Sequence, residues 1–162
     1  MKKDELVLKR LAAEVRDELE RISKLMKEYR EFIRKYSKHR DMHLLRVNAS
    51  YMADFYMGVE KIFSTLIEEL NGGNPKGEAW HKRLLLAMTL EVKGVRPAVI
   101  SNALYENLVQ FLGFRHIVRQ AYGFQLDEKK LYELEKIFEK TYRRFSIEIK
   151  DFCNLLEGKK RR

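Results

Sequence analysis

Apolar residues return at three- and four-residue steps along most of this chain. Leu8, Leu11, Val15, Leu19, Ile22, Leu25 or Met26, Tyr29, Phe32 or Ile33, and Tyr36 form the first series, and Lys, Arg, Glu and Asp fill most positions between them. A period near 3.6 residues puts such a series on one side of a helix, so the spacing predicts a long amphipathic helix from about Asp4 to Tyr36. A second helix begins near Asp41, with Val47, Tyr51, Phe55, Val59, Ile62, Phe63, Leu66, Ile67 and Leu70 on its apolar face. Asn71-Gly-Gly-Asn-Pro-Lys-Gly77 ends it, and a breaker this short between two similar patterns reads as a loop between helices.

A shorter helix is expected from about Gly77 to Val92, carrying Trp80, Leu84, Leu85, Met88 and Leu90. Pro97 disfavours helix at Arg96, and Ser101 offers an N-cap for a helix from Asn102 to about Tyr122. Gly113 should weaken or bend that helix, and Gly123 suits its C-cap. Asp127 is placed to cap a last helix built on Leu131, Leu134, Ile137 or Phe138, Tyr142, Phe145, Ile149, Phe152 and Leu156. The expected fold is all-α: an up-and-down bundle of four long helices with a short extra helix, one domain over residues 1–157 followed by a basic tail, 158–162.

Composition narrows the classes without choosing among them. Two prolines and eight glycines in 162 residues argue against a turn-rich all-β fold. The single cysteine, Cys153, cannot form an internal disulfide; it reads as a small core residue in a reducing compartment. No stretch of about 18 uncharged apolar residues is present to cross a bilayer, and no signal-type apolar run follows Met1, so no membrane association and a cytoplasmic location are expected. The net charge of +9 favours an anionic partner, nucleic acid or an acidic protein. No metal or other cofactor is expected. His39 and His43 have a four-residue spacing, but no glutamate of an HExxH pair stands between them and no third ligand is evident. The Glu residues fall mainly on polar helix faces, where solvated charge is expected.

One stretch does not fit a simple core or a simple surface. Phe111-Leu-Gly-Phe-Arg-His-Ile-Val-Arg-Gln-Ala-Tyr122 sets Arg115, His116 and Arg119 within an apolar helical stripe. Charged groups are seldom fully buried without partners, so the helix reads as half in a core and half along a polar cleft. Arg115, Arg119 and Tyr122 share one edge, with His116 and Gln120 on the next. Two arginines one turn apart suit a phosphodiester, and a nearby imidazole suits proton transfer near neutral pH. On residue types alone the plainer reading is favoured: an interhelical ion-pair network in which Glu106 or Glu91 partners the arginines.

Phe114-Arg-His-Ile-Val-Arg-Gln-Ala-Tyr-Gly123 with Phe124-Gln-Leu-Asp127, together with Gly77-Glu-Ala-Trp-His-Lys-Arg-Leu-Leu85, Arg96-Pro-Ala-Val-Ile-Ser101 and Leu104-Tyr-Glu-Asn-Leu108, resembles the HepT-like proteins of the HEPN superfamily. The likeness is strongest in the C-terminal half. It implies a helical homodimer whose two motifs meet in one cleft, and a metal-independent ribonuclease acting as the toxin beside a nucleotidyltransferase (MNT) antitoxin. By position, Arg115 is the motif arginine and Tyr122 the motif tyrosine, the residue an antitoxin of that kind modifies. Arg115, His116 and Arg119 would then contact RNA, and Arg115, Gln120 and Tyr122 occupy the catalytic positions. The motif histidine falls at Gln120, whose amide cannot carry a proton at neutral pH. His116, one turn earlier, is the alternative imidazole. The resemblance therefore implies either a weakened enzyme or a silent relative that binds RNA or the antitoxin.

Overall fold

The computed structural model describes residues 2–39, 41–120 and 126–159, without the side chains of residues 2, 3, 117, 119 and 120. Among the described residues it contains five helices: α1 (Lys2–Tyr36), α2 (Met42–Asn71), α3 (Trp80–Ala87), α4 (Asn102–Gln120) and α5 (Glu128–Leu156). The expected all-α bundle is the fold. Three starts are capped: α4 and α5 by Ser101 and Asp127, as the sequence suggests, and α2 by Asp41, near which its start is expected. Asp41 accepts from the His43 amide, Ser101 Oγ accepts from the Leu104 amide at 3.2 Å, and Asp127 accepts from the amides of Lys129 and Lys130. Ser101 is itself held by the Glu148 carboxylate of α5, which accepts from both its backbone N–H and its hydroxyl at 2.7 Å.

The four long helices close a ring in which α1 packs on α2 and α5, and α4 packs on the other side of both. Ion pairs give the directions. Arg10 near the start of α1 meets Glu69 near the end of α2, and Arg16 meets Glu157 just past α5, so α1 runs antiparallel to both. The core between α2, α4 and α5 is aromatic. Phe55 lies 5.4 Å from Phe111, 5.1 Å from Phe138 and 6.1 Å from Phe145, ring centre to ring centre, all at steep angles. Such edge-to-face pairs each add about 0.5–1.5 kcal/mol beyond their burial. Cys153 sits fully buried in this core, as its position in the apolar series implied.

Two expectations change. The short helix is shorter than the 77–92 its apolar residues suggested, because the chain tightens after Ala87. The amides of Met88, Thr89 and Leu90 bond three residues back, and Gly94, at φ +77°, turns the chain so that Val92 pairs with Arg96. Arg96 holds this turn. The residue is 5% exposed, and its guanidinium donates to the carbonyls of Ala87, Leu90 and Pro97 and to Asn71 Oδ1. Second, His39 lies in the α1–α2 connection, so it shares no helix face with His43. The C-cap expected at Gly123 and the end of the basic tail, residues 160–162, lie outside the described residues.

Candidate functional site

Packing at the aromatic core holds α4 against α2, where Phe111 meets Phe55. Arg115, one turn further along α4, reaches Glu60 of α2. Arg115 Nη1 donates to Glu60 Oε1 at 3.2 Å. The other carboxylate oxygen, Oε2, lies 2.7 Å from Nδ1 of His81, in the first turn of α3. A carboxylate cannot donate, so Nδ1 carries the proton and Glu60 accepts. The Trp80 ring stacks on the His81 imidazole with 3.7 Å between centres and 29° between planes. One carboxylate thus gathers an arginine and a histidine from two other helices, and an indole covers a face of the imidazole.

The cluster is nearly dry. The side chains of Glu60 and Arg115 keep 9% and 12% of their exposure, and that of His81 keeps 27%. A carboxylate this buried needs strong donors, and the two it has explain how a charge is tolerated there. Tyr56, one turn before Glu60, is also buried. Burial first, and then the neighbouring Glu60 carboxylate, push its phenol up from the ordinary range, while Arg115 opposes the shift.

Arg115 is therefore in an interhelical ion pair, but not with either expected partner. Glu106 lies more than two turns earlier on α4 itself, and Glu91 lies past the end of α3; both are exposed. Glu60 departs from the solvated place expected of the glutamates. Its sign in the sequence is its row: Tyr56 and Phe63 lie one turn away and Ile67 two, and a lone carboxylate in an apolar row is an anomaly. For His81 the sequence leaves a surface position and a polar cleft wall both open; the structure puts it against Glu60.

His116 stands on the exposed side of α4. The side chains of Arg119 and Gln120, and Tyr122 altogether, lie outside the described residues, so their place beside Arg115 stays a reading of helix spacing. On the opposite side of α4, Gln110, Gly113 and Phe114 border a hollow of about 290 Å³ with Lys130, Glu133 and Leu134 of α5. Residues two apart on a helix point nearly opposite ways, so this hollow is separate from the Arg115 cluster. Among the described residues, no group of three His, Cys, Asp or Glu is placed to hold a metal ion, and no helix is long and apolar enough to cross a membrane.

No curated protein and no solved structure matches the chain. A family model does: the HepT-like protein family matches residues 47–156, from the early turns of α2 to the end of α5. The match includes α2, α3 and α4, the three helices that supply Glu60, His81 and Arg115, and leaves out α1. The chain belongs to the HepT-like protein family.

Proposed function

We propose that this protein is the toxin subunit of a HepT-type pair, a metal-independent endoribonuclease that cuts RNA in a cleft between two copies of the chain. Arg115 carries the reading. It stands at the family's motif position, buried but not sealed, and Glu60 fixes its orientation through one N–H. A guanidinium has five N–H donors, so the rest can serve phosphate oxygens as charge builds on them during cleavage. The net charge of +9 favours a polyanion. Arg119 and His116 are the further phosphate contacts of this reading, and Tyr122 is the residue an MNT-type nucleotidyltransferase partner modifies.

The purified protein should cut tRNA or mRNA in the presence of a chelator, and Arg115→Ala should abolish the cutting. Activity that survives this change removes the reading. Light scattering should give twice the chain mass.

Gln120 supports a second reading, a silent subunit that binds RNA or the nucleotidyltransferase. Under it the native chain leaves RNA intact, and Gln120→His creates ribonuclease activity. Loss of a catalytic imidazole costs about 10² to 10⁴ in rate, so the gain should be large.

A further inference from the structure

We propose that His81, oriented by Glu60, is the proton-transferring residue of this site and does the work that Gln120 cannot. The inference rests on the ribonuclease reading and deepens it. The observation is the shared carboxylate: Glu60 Oε1 takes Arg115 Nη1 at 3.2 Å, and Oε2 takes His81 Nδ1 at 2.7 Å. A phosphate-binding group and a titratable ring are thereby held on the two oxygens of one carboxylate, close enough to act on one phosphodiester.

Three features distinguish His81 from an ordinary packed histidine. Its Nδ1–H is committed to a buried carboxylate, which selects the tautomer with a basic Nε2. No hydrogen bond to Nε2 is formed by the described residues, and the side chain keeps 27% of its exposure, so that nitrogen can meet a ligand. The stacked Trp80 restrains the ring plane. Carboxylate, imidazole and an open Nε2 together make an oriented base. His116, the imidazole nearer in sequence to position 120, lies instead on the exposed side of α4.

In the step, Nε2 of His81 takes the proton of a ribose 2′-hydroxyl. The 2′-oxygen bonds to phosphorus, the bond from phosphorus to the 5′-oxygen breaks, and that oxygen leaves with a proton from water. The products are a 2′,3′-cyclic phosphate and a 5′-hydroxyl. Arg115 meets the negative charge on the non-bridging oxygens, and Glu60 stabilises the imidazolium until it returns its proton to solvent. His81 is then a catalytic residue, and Glu60 a positioning residue.

The test uses the full-length chain, pooled tRNA and a chelator. His81→Gln should lower kcat on the order of 10²-fold with KM within about 3-fold, since the change removes proton transfer and leaves phosphate binding. Added imidazole should restore cutting to His81→Ala and not to Arg115→Ala; a purely structural histidine gives no such selective rescue. Lys82→Ala, at the adjacent exposed position, should cut as the native chain does. A measurement on the unaltered protein guards against variants that do not fold. A 2′-deoxy oligonucleotide, which binds without being cut, should shift the NMR signals of the His81 ring. If Arg115→Ala is silent while His81→Gln keeps the native kcat, or if the ring signals do not move, the assignment of His81 is overturned and the ribonuclease reading stands. If the native chain itself leaves tRNA intact, both are overturned.

Discussion

Arg96, which is buried, and Arg115, which is largely so, are held in opposite ways. Arg96 gives four N–H bonds to three backbone carbonyls and one amide oxygen, with no carboxylate among them. Arg115, among the described residues, donates to the carboxylate of Glu60, which a histidine shares. The carbonyls around Arg96 belong to the end of α3 and the turns that follow, and helix C-termini welcome a cation because their last carbonyls lack partners. The four bonds of Arg96 occupy four of the five N–H donors of its guanidinium. Arg96 is a clamp, and burial pushes its guanidinium down from its ordinary value. Among the described residues, Arg115 keeps donors in reserve. Burial alone does not separate the two arginines; the identity of their acceptors does.

The sharpest way to break this comparison is to remove each arginine's partner. Glu60→Ala should cost about 3–5 kcal/mol in denaturant unfolding, because it strands a buried guanidinium. The double replacement Glu60→Met with Arg115→Met should cost clearly less than that single change, since it removes both charges. If the double variant is no more stable than the single, the pair is not the energetic unit described here. Arg96→Met should cost about 2–3 kcal/mol by orphaning its carbonyls, and should lower RNA cutting only as far as it lowers the folded fraction. A specific loss of kcat at full folding would erase the distinction between clamp and site.

Smaller effects probe the scaffold. A Cβ on Gly58 would come within 2.8 Å of Ile22 Cγ1, so α1 and α2 approach closely there. Gly58→Ala should therefore destabilise by about 1 kcal/mol, overpacking outweighing the gain in helix propensity. A Cβ on Gly113 meets nothing within 4 Å, so Gly113→Ala should stabilise by about 0.5–1 kcal/mol. Equal effects at the two glycines would contradict the packing. Smallest is Cys153. Burial pushes its thiol up from an ordinary value of 9.0 to about 11. It should resist a thiol-specific reagent at pH 8 until the protein unfolds. Because the folded value lies above the unfolded one, its contribution to stability is whole below pH 9.0 and fades as pH rises towards about 11.

Local physics was legible in the residue order. The 3.6-residue return of apolar positions marked every long helix, and Asp41, Ser101 and Asp127 announced three starts, because a cap needs only its own next few amides. The end of α3 was not legible, since it depends on Arg96 reaching back to Ala87 and Leu90. Arg115 could be singled out because its motif is contiguous. Its true neighbours could not. Glu60 is 55 residues away and His81 is 21 residues from Glu60.

By itself, then, the sequence determined an all-helical chain, three of its helix starts and the arginine on which the family resemblance centres. Periodicity, capping and motif spacing are all short-range properties. Tertiary structure alone decided which acid meets that arginine and that a histidine from a third helix joins it. Those contacts join residues far apart in the sequence, and which helices meet there is a packing result of the whole core.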